Sequence, residues 1–274
     1  MASTRRFPGG VLNWPTAAGL ASRDRILISS CVVLITAMAW FYLIHLDRQM
    51  SASMEYEQKM AAMGMTMHQP WSAADALFTF AMWVVMMVGM MAASVMPMLL
   101  LFAGSNASRG EDLAWLNVPI FGLGYFTAWA GFSVVATAAQ WALHQAAMLS
   151  PAMSASSPRV AGGILLAAGV YQLTPWKGRC LTHCRSPLGF LMTNWRDGKL
   201  GAIRMGMHHG AYCLGCCWAL MGVLFVVGVM NLSWVAVLAV FVLLEKIGPS
   251  GAILARLSGA VIAACGIFLI AKSA

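Results

Sequence analysis

Seven apolar stretches recur along the chain with polar gaps between them, at about residues 26–46, 76–103, 118–142, 159–174, 208–229, 232–247 and 251–271. A helix that crosses a bilayer needs roughly 20 predominantly apolar residues. The pattern therefore predicts an all-α fold: a polytopic membrane helix bundle of about seven transmembrane helices. The fourth and sixth stretches are short, which leaves room for tilt or a partly re-entrant path and keeps a six-span alternative open. Polar positions gather in three places. Residues 1–25 scatter arginines among Pro8, Gly9, Gly10, Asn13 and Pro15 and read as a flexible basic arm. Residues 47–75 form a long methionine-rich outer loop, partly helical around Glu55, Glu57 and Lys59 and interrupted by Gly64 and Pro70. Residues 174–207 form an inner loop with six basic residues against the single acid Asp197. Residues 26–274 are read as a single transmembrane domain.

Composition agrees with the pattern. The chain is 60% hydrophobic and 9% charged, whereas soluble domains carry about 25% charged residues. The excess of eight positive charges is first a topology signal, because basic loops stay cytoplasmic. With the N-terminus inside, the inner segments hold Arg5, Arg6, Arg23, Arg25, Arg109, Lys177, Arg179, Arg185, Arg196, Lys199, Arg204, Lys246 and Arg256. The outer segments hold Arg48, Lys59, Arg159 and Lys272, which is thirteen against four. Charge thus needs no nucleic-acid partner to explain it; the expected partners are the lipid bilayer and a metal ion. The apolar run after Arg25 has no A-x-A-like cleavage site and reads as a retained anchor.

Candidate chemistry lies in sulfur. Five of the seven cysteines fall between residues 180 and 217: Cys180, Cys184, Cys213, Cys216 and Cys217. On the cytoplasmic side thiols stay reduced, and a reduced cluster reads as metal-binding or redox-active. At 100° per residue, His209, Cys213 and Cys216 share one helical face, with Cys217 to its side. The preceding CLTHC adds Cys180, His183 and Cys184. Four such ligands suit zinc, and a lower-coordinate thiolate site suits Cu(I). The neighbouring Lys177, Arg179 and Arg185 are expected to favour thiolates. Cys31 and Cys265, each alone in its helix, are expected to pack as small apolar residues.

Methionine is the second source. Of 22 methionines, the outer loop contributes MGMTMH, with Met63, Met65 and Met67 before His68. Thioethers select Cu(I) over harder ions, and a solvated loop gains little from exposing them otherwise. In the next helix Met82, Met86 and Met90 are spaced four apart on one face, where copper binding competes with ordinary gap-filling. Among polar residues at membrane depth, Glu245 and Lys246 are expected to form an ion pair or to snorkel at a helix end.

The stretches AMWVVMMVGMMAASVMPM, YQLTPWKGRCLTHCRSP, GAYCLGCCWALM, GVMNLSWVAV and LLEK, spread over residues 76–250, resemble a family of prokaryotic predicted metal-binding integral membrane proteins (domain of unknown function 2182). That resemblance implies a multi-pass protein of the bacterial inner (plasma) membrane. It also implies a metal site at Cys180, Cys184, Cys213, Cys216 and Cys217, with Asn231 and Glu245.

The leading expectation is a membrane metal-handling protein, with copper favoured and zinc possible, that moves, delivers or buffers the ion, with a metalloprotein or membrane complex as its protein partner. No P-loop is present to power transport. Two alternatives stay open: a membrane thiol oxidoreductase, and a non-catalytic assembly subunit of a membrane complex.

Overall fold

Helix starts in this chain are marked by short polar residues, and three of them, Ser72, Thr174 and Asn231, cap through their side chains. The computed structural model describes residues 20–63, 71–109, 114–146, 148, 154–155 and 157–273. The first helix, α1 (Ser22–Ala62), is a single rod of 41 residues that continues well past residue 46. The next, α2 (Ala73–Ser108), starts at a capping box. Asp75 accepts from the Ser72 backbone N–H at 2.8 Å, and the Asp75 N–H donates back to Ser72 Oγ at 3.3 Å. These bonds satisfy two amides that the first turn leaves without helical partners. The third is α3 (Ala114–Gln145).

The segment at 174–207, expected as a loop, is helical for most of its length. After α4 (Pro158–Leu173) come two short helices, α5 (Pro175–Arg185) and α6 (Pro187–Asn194). All three open on a proline at the first turn, where its missing N–H costs nothing. Thr174 caps α5 by accepting from the Lys177 N–H at 3.4 Å. The long helix α7 (Gly198–Gly222) is followed by the single turn α8 (Leu224–Val227). Gly228, at φ +98°, ends that turn in a conformation open mainly to glycine. Asn231 then caps α9 (Leu232–Ile247), and α10 (Gly251–Lys272) closes the chain.

Among the described residues, five helical segments are long and apolar enough to cross a membrane: Ser22–Ser51, Ala73–Ser108, Leu116–Gln145, Gly198–Val227 and Gly251–Lys272. The protein is thus an all-helical membrane protein. The stretches expected as the fourth and sixth spans form α4 and α9, of 16 residues each. At 1.5 Å per residue each is about 24 Å long, short of a hydrocarbon core of about 30 Å. The outer surface is apolar, with Val33, Phe78, Val135, Val240 and Phe268 all exposed. Cys31 and Cys265 also lie on this exposed surface rather than between helices. A free thiol behaves as a small apolar group, so it can face lipid as well as core.

The core gathers around α2, α3 and α7. Trp83 is fully buried and donates from Nε1 to Gln140 Oε1 at 2.8 Å. Helices α3 and α7 run in direct backbone contact. A Cβ at Gly206 would overlap the Phe121 carbonyl, and one at Gly210 would come within 2.8 Å of the Tyr125 carbonyl. Small residues at a membrane helix interface allow this approach. It matters because α7 carries three of the thiols.

Gly206→Ala is expected to destabilise the purified protein by about 1–3 kcal/mol, through overpacking against α3. The same change at Gly163, where an added Cβ meets nothing within 4 Å, is expected to leave it unchanged or slightly stabilised. Thermal unfolding in detergent, measured for both variants, checks the contrast.

Candidate metal centre

A helix turns 100° per residue, so α7 presents Met205, His209, Cys213 and Cys216 along one flank, and all four are buried. Cys217 is buried beside them. Cys216 Sγ and Cys217 Sγ each turn back to the Cys213 carbonyl at 3.0 Å. The other thiols arrive from α5, which lies against α7. Cys180 packs on Gly215, where a Cβ would come within 2.8 Å of its sulfur. Cys184, one turn further along α5, is partly buried against the core that holds Cys213, Cys216 and Cys217. The five clustered cysteines therefore converge from two helices, and every one is a free thiol.

What fastens α5 in place is a buried polar network. Lys177 Nζ lies 2.7 Å from Glu245 Oε2, with both side chains only 1% exposed. Lys177 also donates to Gln172 Oε1. Gln172 Nε2 donates to Glu245 Oε1 and to Ser258 Oγ, at 3.1 Å each. At the far end of α5, Arg185 donates to the Glu245 backbone carbonyl at 2.7 Å. Both ends of the thiol-bearing helix are thus tied to one residue of α9. These ties correct two expectations. Glu245 and Lys246 neither pair with each other nor snorkel; both are buried and face different neighbours. Nor do the basic residues of α5 depress its thiols, because Lys177 and Arg185 are committed elsewhere. Burial pushes the Cys180 thiol up, and contact with Cys213 and Cys216 pushes Cys184 up further.

Lys246 points to the opposite side, into the thiols. Its Nζ donates to Cys213 Sγ at 2.9 Å and to Ser94 Oγ at 3.3 Å, and stands 3.6 Å from Met91 Sδ. Tyr125 Oη is 2.8 Å from the same Cys213 sulfur and 3.4 Å from Ser94 Oγ. Cys213 is fifteen residues into α7 from Gly198, about 22 Å along the helix axis. The thiols of α7 are thus buried among the helices, away from its first turn.

The other candidates divide. His209 is buried one turn before Cys213, among the rings of Phe121, Tyr125 and Phe190, and its Nδ1 has no hydrogen-bond partner among the described residues. His183 is exposed and stacked on Tyr212 at 4.3 Å, on the outer side of the α5–α7 pair. Met82, Met86 and Met90 are buried in the core. The thioether that reaches the charged centre is Met91, which flanks that stripe. Met63 is exposed at the end of α1, while Met65, Met67 and His68 lie outside the described residues. Asn231 serves as the α9 cap and is exposed. Tyr125, Ser94, Met91 and Lys246 were not expected here. The one signal in the sequence was that Lys246 and Tyr125 are polar groups in apolar helices, which flags function in a membrane.

The arrangement has the donors of a soft-metal site without a finished coordination sphere. Among the described residues, no group of three or more His, Cys, Asp and Glu is arranged to hold an ion. The donor chemistry nevertheless fits a soft cation: converging thiols, a thioether nearby, and a buried imidazole nitrogen left without a partner. Fold and site together define a helical membrane protein with a buried soft-donor cluster. Residues 80–269, more than half of the chain, match the family described as PpoB2, copper chaperone, and the chain belongs to that family. The match supports copper as the metal and gives zinc no support. No curated protein and no solved structure matches the chain.

Removing the Lys177 partner by Glu245→Gln is expected to cost about 3–5 kcal/mol, because it strands a buried charge. It should also release α5 and speed alkylation of Cys184 severalfold. Replacing both partners, with Lys177→Met and Glu245→Leu, is expected to recover most of the stability. Thermal unfolding and mass-spectrometric thiol footprinting of the two variants check this.

Proposed function

We propose that this chain is a membrane-embedded copper chaperone that takes up Cu(I) on the α5–α7 thiols and hands it to a copper-requiring metalloprotein. The observation that carries the reading is the packing of α5 on α7, which sets the Cys180 sulfur against Gly215, between Cys213 and Cys216 in the chain. Family membership supplies the metal. Cys213, Cys184 and Cys216 are the proposed principal ligands, with Cys180, Cys217 and His209 next to them as exchange partners. Cu(I) accepts two or three thiolates, so an ion can pass between ligand pairs without ever being bare.

In the proposed topology the N-terminus is cytoplasmic, α4 and α9 complete seven membrane segments as short or tilted helices, and the membrane is the bacterial inner membrane. The charge asymmetry of thirteen against four supports that orientation. The thioethers of Met63, Met65 and Met67, with His68, then serve as an outer collecting point. Copper passing from thioethers to thiols would move toward ligands of increasing grip.

Elemental analysis of full-length protein purified after copper supplementation tests the reading. Wild-type protein is expected to retain Cu(I), and Cys213→Ser combined with Cys216→Ser is expected to lose it, with sulfur scattering in the copper X-ray absorption spectrum falling in parallel. Equal copper in both proteins would remove the thiols from the function. Reversible thiol pairing that persists without metal would instead favour the oxidoreductase.

A further inference from the structure

A buried lysine normally answers its charge with a carboxylate. Lys246 is 8% exposed, and among the described residues no carboxylate pairs with it; the adjacent Glu245 is taken by Lys177. Its ammonium instead rests on Cys213 Sγ at 2.9 Å, Ser94 Oγ at 3.3 Å and Met91 Sδ at 3.6 Å. Two of those three contacts are sulfur, a poor match for a hard, strongly hydrated ammonium and a good one for a soft cation. The ammonium occupies the place of a small monovalent ion.

We propose that Lys246 is a built-in competitor for the cargo: its ammonium holds the Cys213 sulfur until Cu(I) displaces it, and returns to that sulfur as copper leaves. This inference rests on the reading of the thiol cluster given above. The exchange balances without redox chemistry. Cys213 takes part as the thiolate paired with that ammonium. The N–H···S contact breaks, a Cu–S bond forms in its place, and the ammonium moves away with its proton. Any further cysteine that joins the copper releases its S–H proton to solvent. At Cys213 one positive charge replaces another in the low-dielectric interior, so the net charge at that sulfur is unchanged. A divalent ion would add an uncompensated charge, whose burial is costly. Lys246 has somewhere to go. It is the penultimate residue of α9, next to exposed Ile247 and the exposed Pro249–Ser250 turn, and a four-carbon stem can carry the charge toward that rim.

A competitor of this kind weakens binding and speeds release, which suits a protein that passes its ion on. The test uses the full-length protein in detergent, with Cu(I) itself titrated against a chromogenic Cu(I) chelator. Lys246→Leu, which removes the ammonium without adding a copper ligand, is expected to lower the Kd for Cu(I) about tenfold and to slow transfer to the chelator by a similar factor. Lys246→Arg, which keeps the charge, should stay at or above the wild-type Kd. A Lys246→Leu protein whose Cu(I) binding depends on Cys213 but is no tighter than wild type overturns the proposal. Wild-type protein that binds no Cu(I), or binds it equally after Cys213→Ser, overturns the thiol reading itself and the competitor with it. A second readout needs no variant at position 246. Amine labelling of Lys246 in wild-type protein is expected to rise severalfold on copper loading, and unchanged labelling overturns displacement.

Discussion

Glu245 is the residue around which the thiol cluster is organised. Its carboxylate receives Lys177 from the first turn of α5, and its backbone carbonyl receives Arg185 from the last residue of the same helix. Between those two anchors lie Cys180 and Cys184. A short polar helix of 11 residues has little tendency to hold its own shape, and the bilayer offers it no partner for its charges. Tying both ends to one buried point gives α5 a fixed register against α7. The network is fully used: Gln172 satisfies the second carboxylate oxygen and, by donating also to Ser258 Oγ, extends the tie to α4 and α10. A buried ion pair contributes little net energy compared with apolar packing, but its geometry is unforgiving. Here that strictness sets the positions of two sulfur atoms.

The neighbouring residue turns the same short segment into part of the centre. Consecutive side chains on a helix diverge by 100°, so Glu245 and Lys246 address different helices from adjacent positions. One faces α4, α5 and α10; the other faces α2 and α7. The last turn of α9 is thereby wedged between the structural tie and the thiols.

The thiols themselves are close but not closed. Cys216 and Cys217 use their S–H groups on the Cys213 carbonyl, and Cys213 is engaged by Tyr125 and Lys246. A structural zinc site would present four ligands at fixed distances. A site whose donors are occupied by weak internal partners gives those partners up one at a time, which fits exchange of a cargo ion better than permanent retention. The buried imidazole of His209, with Nδ1 unpartnered among the described residues, is a further donor held close by.

Much of this molecule could be read along the chain. Apolar runs of about 20 residues in a lipid solvent have almost no choice but to become helices, since every backbone polar group must be satisfied within the segment. The helical class, the membrane setting and the bounds of α9 and α10 follow from that constraint. So does the common face of His209, Cys213 and Cys216, because it depends only on helical repeat. Contacts between helices are a different matter. That Lys246 meets Cys213, 33 residues away, and that Met91 rather than Met82, Met86 or Met90 reaches the charged centre, depend on how four helices pack against one another. Periodicity fixes which side of its own helix a residue occupies. Only the packed bundle decides what stands opposite.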